Sequence, residues 1–229
     1  MFLPLHDGVP MRHLPHPYVT WGLIGLNTLV FLATWAGLLG NSARLDTSLG
    51  VIPAVLWGKA ELAPSLALVP TWATMITGMF LHGGFGHLAG NMLFLWVFGD
   101  NVEDAMGHAR FLVFYLACGV AGALAFSLMN PETQAPLIGA SGAVSGVVMA
   151  YLMFHPRVSV FGLVFNWLPL AIPAIWVIGA WIVVQIGSAM FVADPQIGWW
   201  AHVGGIAAGA VLTPLVKRRQ VALFDRRAA

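Results

Sequence analysis

The chain alternates long uncharged runs with single charged residues or small clusters of them. Between successive charges the runs are 13–43, 62–99, 111–131, 133–156, 158–193 and 195–216. Each reaches or exceeds the ~20 apolar residues that an α-helix needs to cross the hydrocarbon of a bilayer. Two runs are too long for one helix, and both hold breakers near one end: Pro64 and Pro70 in the second, Asn166, Pro169 and Pro173 in the fifth. Each is therefore read as one helix plus an interfacial loop.

The pattern predicts six spanning helices, over 18–39, 85–105, 108–129, 141–156, 169–191 and 199–217, and a long loop over 40–82. The fold class is all-α, a polytopic membrane protein built as a six-helix bundle. Its membrane domain covers 18–217, between a short N-terminal segment (1–17) and a basic tail (218–229). Trp57 and Trp72 in the long loop favour the headgroup level, so that loop is expected to lie partly in the membrane surface. No repeat and no linker to a second domain are visible.

Composition sharpens this picture. Hydrophobic residues make up 59% of the chain and charged residues 8%, against about 25% charged in a soluble domain. Arg12, Arg110, Arg157, Lys217, Arg218, Arg219, Arg226 and Arg227 fall on one side of the predicted membrane, Arg44 and Lys59 on the other. Positive residues are retained in the cytoplasm, so both termini are placed there. A bacterial inner (cell) membrane is the expected location. The basic residues are sorted by topology, which removes nucleic acid as a partner. The first run is long for the h-region of a signal peptide, and Arg12 is its only strong cation, so it is read as a span. Cys118, the only cysteine, excludes a disulfide within the chain and a thiolate cluster, and is read as a small packing residue beside Gly119 and Gly122.

Polar groups inside hydrocarbon are costly, so the few present are candidates for chemistry. His87 and Asn91, four residues apart, share one face of the second span. Ser141 stands in Gly139-Ala140-Ser141-Gly142, where a polar loop meets an apolar helix, and a helix N-terminus favours developing negative charge. His202 lies in Ala201-His202-Val203-Gly204-Gly205 and shares a helix face with Gly205 and Gly209. Gly142 and Gly146 form a second small-residue stripe. If the two stripes meet, the imidazole approaches the hydroxyl and makes a nucleophile of it. Taken singly, a membrane His is often an interhelical hydrogen-bonding group, and a Ser before a helix is more often a cap.

Three groups of residues together resemble the rhomboid intramembrane proteases: His82, His87 and Asn91 in the spacing H-x4-H-x3-N, the Gly139–Gly142 turn, and the Ala201–Gly205 segment. The resemblance runs from about Trp72 to Leu215 and includes Gly99, Glu103 and Gly107, which are similar to the family's turn between the second and third helices. It implies a Ser-His dyad, with Ser141 attacking a peptide carbonyl and His202 as general base. It also implies an oxyanion hole of His87, Asn91 and the Ser141 N–H, a structural role for His82, transmembrane protein substrates with small residues near the cut, and no cofactor or metal. No Asp or Glu lies within either helix to orient His202, and Glu132 and Asp194 fall in predicted external loops.

Two departures stand out. Ser145 occupies a position that is often an aromatic packing on the imidazole, so another group must hold His202. Trp72-Ala73-Thr74 lacks the Trp-Arg pair common in the external loop. The competing readings are an inactive rhomboid-like binder of membrane helices and a small transporter relaying protons through His87 and His202. The presence of both Ser141 and His202 speaks against the first. The absence of a charged intramembrane pathway or an inverted repeat speaks against the second.

Overall fold

In the computed structural model the described residues are 2–165, 167–192 and 197–224. Asn166, Asp194, Arg226 and Arg227, used in the sequence reading, lie outside them. In chain order the elements are β1 (Phe2–His6), α1 (Tyr18–Trp35), the short helices α2 (Ser42–Leu49), α3 (Pro53–Leu56) and α4 (Thr74–Thr77), then α5 (Phe85–Met106), α6 (His108–Met129) and α7 (Ser141–Phe154). They are followed by β2 (Ser159–Val164), β3 (Leu168–Pro173), α8 (Ala174–Phe191) and α9 (Trp199–Val216). Two 3₁₀ turns, Thr71–Ala73 and Gly78–Phe80, flank α4.

The six longer helices occupy the predicted runs, and their ends follow local chemistry. The expectation that the first helix reaches residue 39 is corrected to Trp35, because Gly37 and Gly40 take positive φ (73° and 98°) and turn the chain out of the helix. α7 stops at Phe154 rather than 156, since a residue before proline is driven out of the helical region and His155, before Pro156, sits at φ −128°, ψ 51°. α9 ends at Val216, one residue short of the expected 217. The fifth helix begins at Ala174 and not at 169, because Leu168–Pro173 pairs with β2 instead. With the order β1-β2-β3, β3 is an edge strand, the place in a sheet where Pro169 and Pro173 are tolerated. This three-stranded antiparallel sheet accompanies the bundle and was not foreseen; the 40–82 loop likewise carries α2, α3 and α4.

Among the described residues four helices, α1, α6, α8 and α9, are long and apolar enough to cross a membrane. α7 is apolar but has 14 residues, and α5 carries Asp100, Glu103 and Asp104 near its C-terminal end. The centre of the bundle is α6, α7 and α9, joined through glycines. A Cβ on Gly205 would stand 1.9 Å from the Gly142 carbonyl oxygen, and one on Gly209 2.6 Å from that of Gly146. Only backbone against backbone permits such an approach, which is how helices associate where lipid removes the hydrophobic driving force. Cys118 is buried and lies opposite Gly146, the packing role expected of it. α1 and α8 are peripheral, with Leu29 on the first and Val183, Met190 and Phe191 on the second exposed as a lipid-facing surface.

Both ends of the described chain gather at one end of the bundle. β1 pairs with β2, in the α7–α8 connection. The N–H of Arg218 donates to Ala105 O at 2.9 Å, and the N–H groups of Arg12, His13 and Leu14 donate to the Asp104 carboxylate at 2.6–2.9 Å. Asp7 accepts from Tyr151 Oη (2.8 Å) and Asn101 Nδ2 (3.0 Å), and its burial holds the carboxyl above its ordinary pKa. Glu103, fully buried, accepts from the N–H groups of Val19 and Thr20 and from Thr20 Oγ1, and pairs with His108. It thus caps α1 from a different helix, a task that Pro17 at the N-cap position cannot perform. Glu103→Ala is expected to lower stability by about 2–4 kcal/mol by stranding these buried donors. Thermal unfolding in detergent measures it, and an unchanged midpoint would deny Glu103 this role.

Candidate active site

Ser141 is the first residue of α7, and the loop before it is held from two sides. Leu137 and Val51 exchange backbone hydrogen bonds at 2.8 and 3.0 Å, and the Gly139 N–H donates to Gly78 O at 2.9 Å. Gly139 has φ +115°, and a Cβ there would fall 2.6 Å from the His87 ring, so glycine is required for both conformation and space. The chain then enters α7 with Ser141 among the N–H groups that have no partner inside the helix.

His202 is the fourth residue of α9, one turn before Gly205. The glycine seam carries it against α7, where its Nε2 lies 2.9 Å from Ser141 Oγ. Its other nitrogen, Nδ1, lies 2.7 Å from Oε1 of Gln185, a buried residue of α8. Trp199 packs edge-on to the imidazole at a centroid distance of 5.9 Å. Ser145, in the position noted for its missing aromatic, donates its hydroxyl to Ser141 O at 2.6 Å and is buried in its own helix. Among the described residues, Gln185 and Trp199 are the polar and ring contacts of His202 besides Ser141. Glu132 pairs instead with Lys59 at the surface.

A cavity of about 700 Å³ opens on this pair, lined among others by His87, Asn91, Ser141, Gln185 and His202, with Phe94 and Trp181 as apolar wall. Gly83 before α5, Gly86 in its first turn and residues Ala135–Ile138 of the loop before α7 line it too. Asp46 also reaches it, and partial burial holds that carboxyl above its ordinary pKa. Asn91 is buried and donates one amide N–H to His87 O at 3.2 Å, leaving its second N–H available. His82 is buried and packs edge-on to His87 at 5.1 Å, outside the cavity lining. Glu103 lies near the other end of α5, more than four turns from His87. Among the described residues, no three His, Cys, Asp or Glu side chains converge as metal ligands would.

Gln185 is the site residue that sequence reading missed. Its signal was present: in α8, AIWVIGAWIVVQIGSAMF, Gln185 and Ser188 are the only polar side chains. Gln185 belongs to none of the three residue groups that marked out the site, although a buried amide in hydrocarbon needs a partner as much as a histidine does.

The fold and site define a helical integral membrane protein in which a serine hydroxyl and a neutral-capable base meet in a cavity built from several helices. Residues 70–219 match the Rhomboid domain, and the chain belongs to the rhomboid family, whose members are generally intramembrane serine proteases and include inactive ones. Over 136 residues it is 36% identical to rhomboid protease GluP of Bacillus subtilis, a stretch covering 59% of this chain and 24% of that one. It is 31% identical over 148 residues to the mitochondrial Rhomboid protein 1 of Saccharomyces cerevisiae (60% and 40% covered), and 29% over 155 residues to Rhomboid-related protein 3 of Homo sapiens (62% and 36% covered). The chain thus spans less than half the length of each of these relatives.

Proposed function

We propose that this chain is an intramembrane serine endopeptidase that hydrolyses peptide bonds in or near transmembrane segments of other membrane proteins. The observation that carries the reading is the 2.9 Å contact between Ser141 Oγ and His202 Nε2 inside a cavity large enough for an extended peptide segment. His202 Nε2 takes the hydroxyl proton as Oγ attacks the scissile carbonyl carbon. The oxygen then bears the negative charge, in reach of donors from the Ser141 N–H at the start of α7 and from His87 and Asn91 of α5. Collapse of this intermediate breaks the C–N bond, with the proton passing from His202 to the departing amine. Water, deprotonated by the same imidazole, then attacks the acyl carbon, and as the C–O bond to Ser141 breaks the proton returns from His202 to Oγ.

All six longer helices cross the bilayer in this reading, with both termini in the cytoplasm of a bacterial cell and the cavity toward the external leaflet. Arg12 and Arg157 gather with Asp104 near the C-terminal end of α5, where Arg218 also donates to Asp104 O, at the end away from Ser141, and this supports that orientation.

The test is labelling of the purified, detergent-solubilised protein with a fluorophosphonate. Modification at Ser141 that disappears in Ser141→Ala supports the enzyme. A folded protein that takes no label is an inactive helix binder or a transporter instead. A second expectation concerns the oxyanion donors. Asn91→Ala should lower kcat by about 10²–10³, the weight of one donor to a developing oxyanion, with little change in KM. Steady-state cleavage of a reporter transmembrane substrate checks it, and an unchanged kcat would remove Asn91 from the site.

A further inference from the structure

We infer that Gln185 is a positioning residue: its side-chain carbonyl selects the tautomer of His202 that accepts a proton from Ser141. The inference rests on the proteolytic reading for its consequence, though the contact itself does not. A neutral imidazole has one N–H and one lone pair, and either nitrogen can hold the proton. For Nε2 to accept the Ser141 proton, Nδ1 must carry the N–H, and the hydrogen bond made by the far nitrogen decides this. Gln185 Oε1 is an acceptor only, and at 2.7 Å from Nδ1 it is placed to receive that N–H.

Three further observations support the assignment. Gln185 is buried, 5% exposed, in a helix that is apolar but for it and Ser188 and mostly exposed along its length, so an amide there would be costly without a partner. None of the acidic side chains of the described residues hydrogen-bonds His202, and Asp46 is the one that lines the cavity. Ser145 donates its hydroxyl to Ser141 O within its own helix rather than to the imidazole. Beyond Ser141, His202 is contacted by Gln185 from α8 and by the Trp199 ring beside it. A neutral amide also suits the setting, because it orients the base without placing a second ion in a partly desolvated site. The base on α9, the nucleophile on α7 and the orienting group on α8 thus form a chain across three helices, through contacts of 2.7 and 2.9 Å.

The experiment combines tautomer spectroscopy with kinetics. In detergent-solubilised protein carrying ¹⁵N-histidine, the His202 signals are those absent from His202→Ala. The wild type is expected to show a protonated Nδ1 and a bare Nε2; a protonated Nε2 would mean that the amide presents its nitrogen instead, and overturns the inference. Gln185→Leu should lose this single tautomer and lower kcat by about 10- to 100-fold, the weight of one hydrogen bond to a group that becomes charged, with KM nearly unchanged. Gln185→Glu, which retains the acceptor, should restore both. Wild-type kcat in a folded Gln185→Leu, or an unaltered tautomer there, sinks the proposal. Should the wild type cleave no better than Ser141→Ala while its Nδ1 is protonated, the protease reading falls and the orienting contact stands.

Discussion

Replacing Ser141 by alanine is expected to abolish cleavage of a reporter transmembrane substrate while leaving the fold intact. Among the described residues the hydroxyl's side-chain hydrogen bond is to His202 Nε2, and the backbone that places it is held by Gly139, Gly78 and the Leu137–Val51 pair. The substitution therefore removes the proposed nucleophile and little else. His202→Ala should cost about as much, because a hydroxyl with no base beside it stays a weak nucleophile at neutral pH. In a serine protease each such loss amounts to roughly 10⁶ in kcat, and the double substitution adds almost nothing, since the two groups act as a unit. Time courses with purified protein in detergent or liposomes measure this. Substantial cleavage by either variant would reject the assignment of the site.

The second large effect is expected at a residue with no functional group. Gly205→Ala places a methyl where the Gly142 carbonyl oxygen stands 1.9 Å away and its carbon 2.8 Å away, and both are backbone atoms of a helix that cannot rotate aside. α9 must retreat from α7 by about 1 Å, a misplacement that costs on the order of 10² in rate when it falls on reacting groups. It does fall on them here: Ser141 precedes Gly142 and His202 lies one turn before Gly205. Overpacking should also lower stability by about 1–3 kcal/mol. Gly25→Ala in α1 is the control, since a Cβ there meets nothing within 4 Å. Thermal unfolding and kcat for the two variants separate the cases. A Gly205→Ala protein with wild-type activity would show that the seam does not set the distance between hydroxyl and imidazole.

The candidate site was legible to different degrees for different residues. Ser141 and His202 stood out because glycine turns and stripes beside a polar side chain are costly in hydrocarbon unless they serve packing or chemistry. His87 and Asn91 followed from their spacing on one helix face, and both line the cavity. Glu103, read as part of a turn, proves to cap a helix more than eighty residues earlier in the chain. Its partners are backbone N–H groups, which carry no mark in a sequence. The sheet escaped notice for a related reason: β1 and β3 find their hydrogen bonds only through β2, and an isolated apolar stretch with prolines reads equally well as a helix entry.

What the amino-acid order alone determined was the solvent, the number and approximate place of the longer helices, and the side chains fit for chemistry. These follow from the hydrophobicity of each residue and its period along one segment, which are local properties. Tertiary structure decided the rest: that the Gly142 and Gly205 backbones touch, that this contact puts a hydroxyl 2.9 Å from an imidazole, and that Gln185 reaches the imidazole's far nitrogen from a third helix. Such contacts depend on the rotation and depth of each helix against its neighbours. Those are set by packing summed over the whole bundle, and no single segment encodes them.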